Sequence, residues 1–355
     1  MTIAHITYSL GMGGIETMLV NIANNQISSG NRIVIIAIND IVDESLFARL
    51  NSNVEFHCLK RKVGSKSPIP LLKLNKLLAN INPDVIHLHY ASISRFIFLK
   101  KLRRKLCVTL HDMCTQSNSR NLPTSGPIFA ISKSVQEDIR RHVHLDSTVV
   151  LNGIDTDAIR SRNDHNRGNM FEIVQVSRLH PKKGQDILIK AIGKLRSEGI
   201  KNIRLTLIGD GETKQELDKL VSDLKLNDQV VFLGKQTQEY VFENLHKYDL
   251  FVQPSRFEGF GLTVTEAMAA KIPLLVSDNQ GPMEIIEFGK FGYYFKGEDV
   301  DDCARQIKQI MEKPTDEALI QNAWNHVIKN FSVKSTASNY LRLYQEQVID
   351  RQQNT

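Results

Sequence analysis

Arg256-Phe-Glu-Gly-Phe-Gly-Leu-Thr-Val-Thr-Glu266 is the stretch from which the rest of this chain is best read. It follows the apolar run 250–254, which reads as a buried strand, and it opens a helix expected over 262–270. A glycine-bearing turn between strand and helix leaves backbone N–H groups free at the positive end of the helix dipole, which suits a phosphate. Glu258 in the turn and Glu266 on the helix would repel an anion, so they are better used to accept hydrogen bonds from neutral hydroxyls. Phosphate flanked by hydroxyls describes a sugar nucleotide. The plainer reading is a capped core helix with two solvated glutamates, and the stretch alone does not separate the two.

Outward from this stretch, strands and helices alternate in both directions. Strands are expected at 171–177, 203–209, 230–234, 250–254, 272–277 and 292–295, with helices at 184–197, 213–224, 238–247 and 262–270. Toward the N-terminus, apolar strands at 4–8, 32–38, 83–89, 106–110 and 127–131 repeat the pattern. Such alternation predicts an α/β protein of two doubly wound parallel sheets, a plausible division for 355 residues. The polar run 160–169 reads as a linker, which sets expected boundaries at 1–160, 161–169, 170–330 and a closing helix over 331–355. That last helix has no strand of its own to cover and is expected to cross back onto the first domain.

Composition narrows the function classes. No apolar run is long enough to span a bilayer, and the N-terminus has no basic-then-apolar leader, so a cytoplasmic protein is expected. Cys58, Cys107, Cys114 and Cys303 have no metal or redox spacing. The net charge of +6 is unevenly placed: residues 1–150 hold 18 Lys and Arg against 10 Asp and Glu, and the remainder 27 against 29. The basic half is either a solvated surface or an attraction for anionic lipid or a phosphate-bearing acceptor, and no nucleic-acid module accompanies it.

Several side chains sit where an open parallel sheet presents ligands, beyond the carboxyl ends of strands. Gly11-Met-Gly13-Gly14-Ile-Glu16 is a glycine loop opening a helix. His87 and His89 share a strand face; no third ligand is in view, so a metal is discounted, and His89 is assigned to acceptor binding. His111-Asp112 follows another strand. Arg178 and Lys183 project from a loop, where a guanidinium and an ammonium would neutralise a diphosphate. Gly234 and Lys235 end a strand and offer backbone groups to a nucleotide base. Asp155 and Asp157 form a superficial metal motif that reads as turn and cap chemistry.

The ordered set Gly13-Gly14-Ile-Glu16, His111-Asp112, Asn152-Gly-Ile-Asp155, Arg178 with Lys183, and Glu258 with Glu266 resembles the retaining family-4 glycosyltransferases of the GT-B fold. The resemblance covers the whole chain, with Ile15 standing where many relatives carry a small residue. It implies two Rossmann-like domains facing a cleft, and a metal-independent transferase with no cofactor beyond its nucleotide-sugar donor. Gly13 and Gly14 would meet the diphosphate, and His111 the donor sugar near its 6-position. Arg178 and Lys183 would neutralise the leaving group, and Glu258 would hold the transferred sugar. The segment Gly259, Phe260, Gly261, Leu262 and Thr263 would bind sugar and phosphate through its amides, and Glu266 would hold the ribose. The expected partners are a UDP-sugar first and GDP-mannose next, a glycan or lipid-linked acceptor, and an anionic membrane, in cell-surface polysaccharide synthesis. The acceptor cleft is expected to be lined by the first domain, whose loops 64–70 and 113–126 match no known pattern. A sugar-nucleotide epimerase and a non-catalytic basic binding protein are the competing readings.

Overall fold

The structure, a computed structural model, describes residues 1–11, 13–113, 122, 126–164 and 166–353. They form two compact units, Met1–Ile154 with Phe331–Thr355, and Asp155–Asn330.

The first unit runs β1 (Thr2–Thr7), α1 (Gly14–Ser28), β2 (Arg32–Asn39), α2 (Glu44–Ala48), β3 (Glu55–Arg61), α3 (Ile69–Ile81), β4 (Val85–Leu88), α4 (Lys100–Arg103), β5 (Leu106–Leu110), β6 (Ile128–Ala130), α5 (Lys133–Val143) and β7 (Thr148–Val149). Its sheet is parallel throughout, in the order β3-β2-β1-β4-β5-β6-β7. The runs Ile33–Ile38 and Val85–Leu88 are fully buried, as central strands covered on both faces must be. Beyond the expected strands, the sheet adds the two-residue β7 at one edge and, at the other, β3, which the apolar pattern does not announce. The residues of β3 are half-buried and mixed in polarity, because an edge is covered less completely. Ser132 caps α5, accepting from the Val135 N–H at 3.1 Å.

The second unit runs β8 (Phe171–Val176), α6 (Gln185–Ser197), β9 (Ile203–Ile208), α7 (Lys214–Asp223), β10 (Val230–Gly234), α8 (Gln238–Asn244), β11 (Leu250–Gln253), α9 (Leu262–Ala269), β12 (Leu274–Ser277), α10 (Gln280–Ile285), β13 (Tyr293–Phe295), α11 (Val300–Glu312) and α12 (Glu317–Asn330). Its parallel sheet has the order β10-β9-β8-β11-β12-β13. The doubly wound α/β expectation therefore holds in both halves.

The segment expected to be a free linker, 161–169, belongs instead to the second unit. Arg162 donates to the Tyr248 carbonyl at 2.6 Å and pairs with the buried Asp249 at 3.0 Å. Asp249 in turn accepts from the Glu172 N–H, at the start of β8. Arg167 donates to the carbonyls of Ile310, Met311 and Lys313. Polar composition suggested solvent, but arginine forks fasten this run by taking carbonyls that helix and strand ends leave unpaired. The expected acceptor loop 113–126 lies largely outside the described residues, as does Cys114.

After α12 the chain returns to the first unit as α13 (Val333–Gln353), entering through a bridge between Ile154 and Ser332. Tyr340 and Tyr344 are wholly buried against Phe129, Cys107 and α1. The Tyr344 hydroxyl bonds His87 Nδ1 at 2.5 Å, and the Tyr340 hydroxyl bonds Thr109 at 2.9 Å. The last helix is thus a structural face of the first sheet. Tyr344→Ala is expected to lower the unfolding free energy of this unit by about 3–5 kcal/mol, from lost ring burial and an orphaned imidazole. Urea denaturation followed by tyrosine fluorescence measures it; a loss under about 1 kcal/mol would mean α13 merely rests on the surface.

Candidate active site

In the second unit, two loops leaving neighbouring strands are locked together. The N–H groups of Arg256 and Phe257 both donate to the Lys182 carbonyl, at 2.8 and 3.3 Å. The Arg256 guanidinium grips Asp186 through both carboxylate oxygens, at 2.8 and 2.9 Å, and also takes the Pro181 carbonyl. Burial pushes the Asp186 carboxyl up, but Arg256 and Lys190 outweigh it and hold it below the usual range. This clamp sets Lys183 opposite Glu258, with Nζ 2.5 Å from Oε2. Gln253, at the end of β11, donates to the same Glu258 oxygen at 3.3 Å and to Ser255 at 2.8 Å. Asn279 reaches the carbonyls of Ser255 and Arg256 from the far side of the loop.

Beyond the loop, Gly261 starts α9 in a left-handed conformation (φ 107°) that a side chain would strain, and no side chain among the described residues caps the helix. Its first amides are therefore free of a competing side-chain oxygen. Phe260 is buried, so it anchors the turn rather than presenting a face to a ligand. Glu266 lies behind the turn, 7 % exposed. Burial pushes its carboxyl up to about 7, against a hydrogen bond from Gln238. Gly234 ends β10 with its carbonyl accepting from the Gly209 N–H, and Lys235 beside it is exposed. Arg178 is exposed at the end of β8 and makes no ion pair among the described residues.

The first unit carries the other expected residues. Gly13 precedes α1 in extended conformation, and a Cβ there would sit 2.5 Å from Glu16 Oε2. Glu16 folds back over this helix start, accepting from the Tyr90 hydroxyl at 2.9 Å. Burial raises its carboxyl, opposed by hydrogen bonds from its own backbone N–H and from Tyr90. The Glu16 carboxylate thus lies beside Gly13 at the start of α1. His111 stands beyond β5 and stacks on His89, with its Nε2 3.2 Å from His89 Nδ1. Asp112, its neighbour, turns away and takes the Met113 N–H. His89, expected at an acceptor, is instead 2 % exposed with both ring nitrogens bonded, so it backs His111 rather than facing a ligand. The third histidine missing from the sequence reading is His5, whose ligand atoms lie within 4.8 Å of those of His87 and His89.

Residues 12–158 match the family described as Glycosyltransferase Family 4, and residues 157–326 the one described as Glycosyl transferases group 1. The chain belongs to the family-4 glycosyltransferases. Among its relatives, N-acetyl-alpha-D-glucosaminyl L-malate synthase of Bacillus anthracis is 27 % identical over 306 residues, covering 78 % of each chain. A GDP-mannose-dependent phosphatidylinositol monomannoside mannosyltransferase of Mycolicibacterium smegmatis is 30 % identical over 189 residues, 49 % of each. Among solved structures, Anabaena HepE in complex with UDP and glucose superimposes with a TM-score of 0.82 at 23 % identity, covering 98 % of this chain and all of that one. This likeness establishes the GT-B fold of the glycosyltransferase. Within it, sequence reasoning missed Gln253, Asn279, Gln238 and the Asp186–Arg256 clamp. A glutamine closing an otherwise apolar strand was the available signal for Gln253.

The raised Glu266 carboxyl gives a pH test with a defined sign. Between about pH 4.5 and 7 the folded state keeps a proton that the unfolded chain gives up, so stability falls as pH rises through that window. Glu266→Gln removes this dependence. Its stability relative to the parent is expected to rise by up to about 3 kcal/mol from pH 5 to 8 in urea titrations. A difference that stays constant with pH would place Glu266 in contact with solvent.

Proposed function

We propose that this glycosyltransferase moves a sugar with retention from a nucleoside-diphosphate donor, a UDP-sugar first and GDP-mannose second, to a glycan or lipid-linked acceptor in cell-surface polysaccharide synthesis. The observation that carries the reading is the Lys183–Glu258 pair held beside the uncapped start of α9, with Glu266 behind it. A diphosphate arriving at the α9 amides takes Lys183 as its counter-ion and releases Glu258 to accept from a sugar hydroxyl. Arg178 adds a second cation from the same loop as Lys183. As the donor bond breaks, negative charge grows on the leaving diphosphate, and these two side chains with the helix start stabilise it without a metal in the scheme. Glu266 accepts from the ribose hydroxyls and becomes ionised as it does so. The relatives named for glucosaminyl and mannosyl transfer, and the UDP held by HepE, support a nucleotide-sugar donor while differing in its base.

Lys183→Ala, Arg178→Ala and Glu258→Ala are each expected to slow transfer by about 10²–10³-fold, the usual cost of one preorganised donor or partner of the developing charge. Hydrolysis and transfer assays across UDP- and GDP-sugars, with circular dichroism to confirm folding, measure it. Near-normal turnover in all three would sink the assignment, and no response to any nucleotide sugar would sink the donor class.

A peripheral membrane contact is supported by one surface of the first unit. Ile69 and Leu72 on α3, and Phe98 and Leu99 before α4, are exposed. Asn75 ties the two segments together, donating to the Phe96 carbonyl at 2.7 Å and accepting from the Phe98 N–H at 2.8 Å. Lys73, Lys76, Lys100, Lys101, Arg103 and Arg104 are exposed on the same segments. Apolar tips among cations suit an anionic lipid surface. Flotation with vesicles containing phosphatidylglycerol should recover the chain, weaken as salt rises, and be lost in Phe98→Ser/Leu99→Ser. Equal recovery on neutral vesicles would refute the electrostatic part.

A further inference from the structure

Parallel strands buried on both faces are expected to be apolar, yet the first unit places His5, His87 and Thr109 inside its sheet and His89 and His111 just beyond it. Their bonds form one continuous line. Gln26 on α1 bonds His5 Nε2 through Oε1 at 2.8 Å. His5 Nδ1 lies 3.1 Å from His89 Nε2, and His89 Nδ1 lies 3.2 Å from His111 Nε2. The line ends at His111 Nδ1, which is buried and has no hydrogen-bond partner among the described residues.

A line of neutral imidazoles has a direction. Each ring carries one N–H and one lone pair, so the role of the first nitrogen dictates that of the last. An amide oxygen can only accept, so His5 carries its proton on Nε2 and offers its Nδ1 lone pair. His89 must then donate from Nε2 and accept at Nδ1, and His111 must donate from Nε2. The rings are neutral because burial lowers them all: His5 to about 4, His111 to about 3, and His87 and His89 well below the usual value. His111 Nδ1 is left as a bare, desolvated acceptor.

We infer that Gln26, His5 and His89 are positioning residues that lock His111 in its Nε2–H form, so that Nδ1 selects a ligand hydroxyl and rejects a carboxylate or phosphate oxygen. The inference rests on the donor reading above for the identity of that hydroxyl, which would be a sugar hydroxyl. A buried lone pair meeting an oxygen that carries no hydrogen would remain unpaired, which costs far more than a hydrogen bond contributes. The line is also a better account of the histidines than a metal centre. Both nitrogens of His5 and His89 are used within it, and His87 is taken by Thr109 and Tyr344.

The test uses the full chain with ¹⁵N-labelled histidine, read by two-bond proton–nitrogen correlation at pH 7. The expected spectrum shows His111, His89 and His5 all protonated at Nε2 only, with the His111 signals assigned by their absence in His111→Asn. Gln26→Leu removes the anchor without touching the ligand end. It should give His111 a mixture of tautomers and raise KM for UDP-glucose about threefold to tenfold with a smaller change in kcat, as the loss of one oriented hydrogen bond implies. An Nδ1–H or charged His111 in the parent protein would overturn the inference. So would an unchanged tautomer and KM in Gln26→Leu, or stoichiometric zinc in the purified chain that His5→Gln abolishes. Should Gln26→Leu fail to fold, the parent spectrum still decides. If neither UDP-glucose nor any other nucleotide sugar is a substrate, the donor reading falls while the spectrum continues to judge the histidine line.

Discussion

A parallel sheet brings the carboxyl ends of its strands to one edge, and that constraint decides where every chemically useful side chain of this protein stands. In the first unit the α1 glycines follow β1, His89 follows β4, and His111 follows β5. In the second, Arg178 follows β8, Gly234 closes β10, and Glu258 follows β11. The central strands are mostly apolar and buried, so they contribute rigidity and direction. What varies is only the short loop at each end. A site built this way inherits its precision from the core, because a loop of a few residues between a buried strand and a packed helix has little freedom.

Precision within the second unit comes from arginine. Arg256 joins two loops that are 70 residues apart in sequence, through Asp186 and through backbone carbonyls. Lys183 and Glu258 meet because of that clamp. Arg162 and Arg167 do similar work on the entering segment, which looks unstructured by composition and is fastened at several points. In each case a guanidinium supplies several donors in one plane, enough to satisfy carbonyls that would otherwise be orphaned at the ends of elements.

The first unit solves a different problem, since it buries polar rings within a parallel sheet. Desolvation forbids the charged imidazole, and each neutral ring nitrogen must then find a partner of the right kind. Gln26 from α1 and the two tyrosines of α13 provide them, so helices far apart in sequence complete one hydrogen-bonded layer. This gives the final helix a reason to return that apolar packing alone would not require. It also leaves one nitrogen, Nδ1 of His111, buried at the sheet edge without a partner among the described residues.

The sequence by itself determined the alternation of strands and helices, the doubly wound class, the return of the last helix and the family, because these depend on local periodicity and on motifs whose spacing survives in one dimension. It also singled out Glu258, Glu266, Arg178, Lys183 and His111, since each stands at a strand end or helix start that periodicity locates. The edge strand Glu55–Arg61 escaped it because partial burial erases the apolar signal. Only the tertiary structure decided that Lys183 faces Glu258, that His89 backs His111, and that His5 and Gln26 join them. Those relations connect residues from different strands and helices, and the side-chain hydrogen bonds that fix them leave no periodic trace along the chain. His5 and His87 illustrate the difference. In sequence they are two isolated polar residues in apolar strands; in the sheet they are register partners.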